Sequence, residues 1–151
     1  QVIRQSSHGS PGASGLLDGC EQDPASSALS GATAMHKDWP AMAGELSAAI
    51  KEVRLGSPEV MKNFSAMAAA ATAGGALDTK TKELLAMAIA VAIRCDGCIA
   101  FHAKAALHHG ATREEIMETM GLAIYMGAGP SLMYAAQAVE AFDQFAEKAA
   151  S

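Results

Sequence analysis

Ten consecutive residues, Leu84 to Ile93, present an apolar side chain on every face of any helix they form. Such a run is shorter than the roughly 18 residues that a membrane-spanning helix needs. It is also too continuous for a helix that faces water. It predicts a central helix, starting after Asp78 or Thr79 and reaching about Arg94, that other parts of the protein must surround. What surrounds it follows from the rest of the composition. Half of the 151 residues are apolar, but 34 of these are Ala, 11 Leu and 9 Met, whereas Val and Ile together supply 12 and aromatic residues make up 5% of the chain. These are helix formers, and a β-sandwich or barrel would need far more β-branched and aromatic side chains. No period-two alternation appears, so the expected fold is all-α.

Punctuation along the chain divides it into about six helices. Asp38 with Pro40 opens the first, and Gly56 closes it. Ser57-Pro58-Glu59 opens the second and Gly74-Gly75 ends it. After the central third helix, a fourth runs from about Cys95 to His109 with Gly110 as its stop, and Thr112-Arg113-Glu114-Glu115 forms a capping box for the fifth. Gly127-Ala128-Gly129-Pro130 interrupts the chain before a sixth, amphipathic helix. Its apolar side is read as Leu132, Met133, Ala136, Val139 and Phe142, with Gln137, Glu140, Asp143 and Glu147 outside. The expected architecture is therefore a compact helical bundle over residues 35–151. Residues 1–34, with seven Ser, five Gly, two Pro and no periodicity, read as a disordered leader unrelated to the fold. Cys20, within it, reads as an incidental thiol.

A formal charge of −5 excludes broad nucleic-acid binding and attraction to an anionic membrane surface, both of which require a basic face. No apolar signal region precedes the helices, so the expected compartment is the cytoplasm. A short Ala-rich chain has few large side chains with which to fill a core, which points to burial between subunits. The small residues Ala100, Ala103 and Gly121 favour close helix approach over a large cavity.

The chemistry concentrates in Arg94-Cys95-Asp96-Gly97-Cys98-Ile99-Ala100-Phe101-His102. On a helix, Cys95, Cys98 and His102 stand at i, i+3 and i+7 and share a face, with the two cysteine Cα atoms roughly 5 Å apart. That separation lets the thiols meet as a disulfide. His102, one turn beyond Cys98, is placed to take its proton, and a helix N-terminus favours a thiolate. Two other readings compete with redox chemistry: a zinc site on Cys95, Cys98 and His102, which lacks a visible fourth ligand, and a pair of inert core thiols. His108 and His109 read as groups interacting with the C-terminal carbonyls of their helix. From spacing alone Glu83 is an exposed first-turn residue, since twelve residues of continuous helix would put it about 18 Å from Cys95 unless the chain bends near Arg94 to Gly97.

The run Thr79-Lys80-Thr81-Lys82-Glu83-Leu84-Leu85, the pattern Glu83-x11-Cys95-x2-Cys98-x3-His102, the segment Gly110 to Ile116 and the later Gly127-x-Gly129-Pro130 together resemble the carboxymuconolactone decarboxylase family, in its alkylhydroperoxidase-D-like branch. The resemblance spans about Pro58 to Phe145. It implies a helical protein assembled as a homotrimer or homohexamer, without a cofactor or metal, acting as a thiol-dependent peroxidase or disulfide oxidoreductase. Cys98 would attack a small hydroperoxide and Cys95 would resolve the resulting sulfenic acid. His102, oriented by Glu83, would relay the proton, and a dithiol, thioredoxin-type or lipoyl-type donor would reduce the disulfide. Where studied members of that branch have a His directly before the second cysteine, Gly97 stands here. A lactone-processing lyase and a non-enzymatic, zinc-stabilised interaction module remain the alternative functions.

Overall fold

A computed structural model describes residues 37–151, and the leader expected over residues 1–34 lies outside the described residues. All regular elements described are helical: α1 (Trp39–Gly56), α2 (Pro58–Thr72), α3 (Thr79–Ile93), α4 (Asp96–His108) and α5 (Arg113–Ala150). The starts of α1, α3 and α5 have a local side-chain cause, whereas Ser57, expected to cap α2, makes no side-chain cap hydrogen bond. The carboxylates of Asp38 and Asp78 accept the N–H groups of Ala41 and Thr81 at 2.8 and 2.7 Å. Thr112 and Glu115 exchange a reciprocal capping box at the start of α5. Lys80 joins the first turns of α3 and α5 through Glu115 at 2.7 Å, and that contact holds the Glu115 carboxyl below its ordinary range.

The long α5 contains one residue out of helical conformation, Ala128, at φ 52° and ψ −145°. The break expected at Gly127 to Pro130 is therefore present, and it turns α5 into two helical stretches. Gly127 is required there, because any Cβ would overlap the Ser131 hydroxyl, which is buried. Ala128 bears a positive φ with a side chain, a conformation that costs of order 1–3 kcal/mol outside glycine.

Helices α3, α4 and the two stretches of α5 pack against one another, and the first half of α1 lies across α4 and α5. Alanine makes much of the contact: Ala90 of α3, Ala100, Ala103 and Ala106 of α4, and Ala135, Ala138 and Ala141 of α5 are all buried. Larger groups fill the remaining space, chiefly Met87, Val91, Ile99, Ile116 and Phe142. Trp39 fixes α1 to this core. Its ring is fully buried, its Nε1–H donates to Glu140 at 3.0 Å, and its backbone N–H donates to the Gln144 side chain at 2.9 Å. The Gln144 amide donates in turn to the Lys37 carbonyl at 2.7 Å.

Two expectations need correction. The apolar run of α3 is covered on one side only: Met87, Ala90 and Val91 are buried, while Leu85, Ile89 and Ile93 face outward. On the last stretch of α5 the inner face consists of Ser131, Ala135, Ala138, Ala141, Phe142 and Phe145, while Leu132 and Met133 are exposed. On α5, close helix–helix approach favours alanine inside and leaves Leu132 and Met133 outside; α3 is packed on one side only, which leaves its other apolar face outward.

Replacing Ala128 with Gly removes the Cβ that the left-handed backbone disfavours. Part of the gain is offset by the greater freedom of glycine in the unfolded chain. The expected net change is about 1 kcal/mol of added stability, read as a rise of a few degrees in Tm by circular dichroism, while Ala128→Val lowers Tm.

Candidate active site

The bend at the end of α3 positions everything that follows. Arg94 adopts the left-handed conformation, φ 59° and ψ 47°. Its N–H donates to the Val91 carbonyl at 3.2 Å, and the Cys95 N–H donates to Ala90 at 3.0 Å. This is the Schellman pattern that helices ordinarily complete with glycine. The chain reverses within these residues, so α4 folds back along α3 instead of continuing it.

Cys95 is then the N-cap of α4, with extended backbone, and not part of the helix as the spacing predicts. Its sulfur accepts the Cys98 N–H at 3.2 Å. The two residues are joined as a disulfide with their Cα atoms 5.2 Å apart, so the expected proximity holds although Cys95 lies one position outside the helix. Both cysteines are half-buried. The Cys98 N–H at the start of α4 is directed toward the Cys95 sulfur, an arrangement that favours negative charge there when the disulfide opens.

Reversal of the chain also brings Glu83 to His102. The His102 Nδ1–H donates to Glu83 Oε2 at 2.7 Å, across 19 residues of sequence. Glu83 is only 5% exposed, which overturns the reading of it as a solvent-facing first-turn residue. A carboxylate so placed needs a charged or hydrogen-bonding partner, and the imidazole is that partner. Because an ionised carboxylate only accepts, the bond puts the neutral ring's proton on Nδ1 and leaves Nε2 as the basic nitrogen. His102 lies one turn beyond Cys98 on α4. The structure thus pairs Cys95 with Cys98 and Glu83 with His102, the second pair one turn along α4 from Cys98.

Two further neighbours of the site escape a reading of the sequence. Lys37 donates to Asp96 Oδ2 at 2.7 Å and to the Gln137 side-chain oxygen at 2.6 Å, and its ammonium stands 5.1 Å from the centre of the Trp39 ring. Asp96 sits between the cysteines, and its Oδ1 is buried without a hydrogen-bond partner. Its position in the first turn of a helix was the available signal; Lys37, 59 residues away, carried none. The space at Gly97 is limited by α1, since a Cβ there would lie 3.0 Å from Leu46 Cδ1. A larger residue at this position, such as the histidine of the studied branch, would have to displace Leu46.

His108 and His109 do not take the role expected of them. The C-terminal carbonyls of α4 are met by backbone N–H groups: His109 to Ala105, Gly110 to Leu107 and Ala111 to Ala106, at 2.9 to 3.0 Å. The two imidazoles instead lie edge to face, 5.2 Å apart. Among the described residues no group of three or more His, Cys, Asp or Glu side chains is arranged to hold a metal ion. Likewise, no described helix is long and apolar enough to cross a membrane.

Comparison with known proteins places the chain in a family. The family model for the carboxymuconolactone decarboxylase family matches residues 58–141. An uncharacterized protein of Cupriavidus necator is 45% identical over 86 residues, which are 57% of this chain and 76% of the relative. An uncharacterized protein of the cox locus of Paracoccus denitrificans is 38% identical over 98 residues, 65% of this chain and 88% of the relative. Among solved structures, an apo carboxymuconolactone decarboxylase family protein from Legionella pneumophila is 52% identical, with a TM-score of 0.70 over 71% of this chain and 96% of its own. A protein from Thermotoga maritima is 29% identical with a TM-score of 0.64, over 71% of this chain and 95% of its own. The chain is a member of the carboxymuconolactone decarboxylase family.

Proposed function

We propose that the protein is a thiol-dependent peroxidase that reduces small hydroperoxides at Cys98. The observation that carries this reading is the Cys95–Cys98 disulfide beside a Glu83–His102 pair. In the reduced protein, His102 Nε2 takes the Cys98 proton, and the Cys98 thiolate attacks the outer oxygen of the hydroperoxide. The O–O bond breaks, Cys98 becomes a sulfenic acid, and the alkoxide leaves as the alcohol with the proton that His102 held. Cys95, favoured as a thiolate by the start of α4, attacks the Cys98 sulfur; the S–S bond forms and the oxygen departs as water. An external dithiol, of thioredoxin or lipoyl type, then reduces the disulfide and is itself oxidised. Glu83 fixes the tautomer and orientation of His102 and offsets the positive charge of the imidazolium. A Thermotoga maritima member of the family has been suggested to take part in an antioxidative response, which accords with this assignment. A lactone-processing lyase has no use for two thiols within bonding distance.

The same proposal includes self-association as a trimer or hexamer. Helix α2 has no buried residue within its own chain and exposes Val60, Phe64 and Met67, with Phe64 at 55%. Leu85, Ile89 and Ile93 form an outward stripe on α3, and Leu122, Tyr125 and Met126 are exposed on α5. Apolar surface on this scale is characteristic of an interface.

Stopped-flow mixing of reduced protein with an alkyl hydroperoxide is expected to consume two thiols per turnover and yield the Cys95–Cys98 disulfide. Cys98→Ser should abolish the reaction, whereas Cys95→Ser should leave one peroxide consumed and a sulfenic acid that dimedone traps. Retention of steady-state turnover by Cys98→Ser would remove the assignment. The role of Glu83 is read separately by 15N NMR of His102 at alkaline pH. The native protein should show the Nδ1–H tautomer, and Glu83→Leu should move the population toward Nε2–H, with turnover falling by at least tenfold. For assembly, Phe64→Asp combined with Ile89→Asp is expected to shift the mass measured by light scattering to that of a smaller species. An unchanged mass would show that these faces do not join subunits.

A further inference from the structure

A groove of about 740 Å³ opens between α1, the second half of α4 and the end of α5, within the size range of small-molecule sites. This differs from the expectation that small residues would leave no sizeable cavity. The groove is distinct from the disulfide site: on α4 its stripe runs through Phe101, Lys104 and His108, at i, i+3 and i+7, and the cysteines do not line it. Phe101 and Phe145 supply its aromatic lining, and on α1 the small residues Ala43, Gly44 and Ser47 face it. Lys104, His108 and Lys148 supply its charged and titratable lining, and none of the lining residues is acidic.

That charge distribution is unusual for a chain with a net charge of −5. Neither Lys104 nor Lys148 makes an ion pair with a carboxylate among the described residues, a condition they share with Lys51, Arg54, Lys82 and Arg94, but only these two line the groove. Two unpaired ammonium groups beside an apolar trough are suited to a ligand that is mostly hydrocarbon with one anionic end. The type of anion follows from the surroundings. The groove lies near the C-terminal ends of α4 and α5, whose carbonyl dipoles favour the lysines and oppose negative charge, a double charge more than a single one. It also lacks the arginine fork that many phosphate sites use.

We infer that this groove binds an aliphatic carboxylate, its chain along Phe101 and Phe145 and its head group between Lys104 and Lys148. The inference stands apart from the peroxidase reading, since it requires neither cysteine. It is tested by isothermal titration of the full chain with decanoate at low ionic strength. The expected result is saturable binding at one site per chain, weakened at least tenfold in Lys104→Gln/Lys148→Gln and at least tenfold for 1-decanol in place of decanoate. Lys62→Gln, on the exposed α2, should bind as the native protein does. Gly44→Leu fills the groove without meeting any atom within 4 Å of its new Cβ, and should abolish binding while retaining the native Tm. Absence of saturation, equal binding of decanol, or insensitivity to the double lysine variant would overturn the inference. Tighter binding of decyl phosphate than of decanoate would overturn the carboxylate assignment in favour of a phosphate ligand.

Discussion

A carboxylate that is 5% exposed has lost most of its hydration, and the Glu83–His102 bond at 2.7 Å is the compensation available to it. The rest of the site depends on that contact. It holds the first turns of α3 against the middle of α4, which is possible only because the chain reverses at Arg94. It also sets which imidazole nitrogen is basic, and that nitrogen belongs to the residue one turn from Cys98. Replacing both partners with well-packed apolar residues would suit the core equally well, whereas removing one leaves the other buried without its partner.

The reversal itself explains why the site was only partly legible. Gly110 signals the end of α4 because glycine readily adopts the positive φ of 79° found there. Arg94 makes the same kind of turn without glycine, so nothing local marks it. Read as continuous helix, α3 and α4 separate Glu83 from Cys95 by about 18 Å, and only the family resemblance brought the two together. The CxxC proximity, by contrast, was legible directly, since i to i+3 spacing produces nearly the same Cα separation whether the first cysteine lies in the helix or caps it. Lys37 and Asp96 illustrate the opposite limit. Their ion pair joins residues 59 apart, and no local pattern encodes a contact of that range.

Helix boundaries were the most legible part of the fold, because Asp38, Asp78 and the Thr112 capping box act within one turn of the chain. The faces of the helices were less so. An amphipathic reading assigns the bulkiest residues inward, and on the last stretch of α5 it held for Phe142 but not for Leu132 and Met133. Alanine went inside because helices in contact through alanine approach closely, and Leu132 and Met133 remained outside. Hydrophobic periodicity identifies an apolar face but does not say whether its partner is the same chain or another. The apolar run of α3 shows this ambiguity most clearly, being buried through Met87 and Val91 and open through Ile89 and Ile93.

Small inner residues and large outer ones also connect stability with function. If the core of one chain is mainly alanine, it contributes comparatively little burial per residue, and the exposed leucines, isoleucines and Phe64 hold a substantial part of the apolar area that could be removed from water. Association would therefore stabilise the α3–α4 junction from outside, on the helix that carries Glu83. The close packing of α1 on α4 imposes a further constraint at Gly97, where Leu46 occupies the approach to the helix start. The histidine that the studied branch carries at this position would require Leu46 to move. On the proposed peroxidase reading, proton transfer at Cys98 would rest on His102, whose orientation is set by its bond to Glu83.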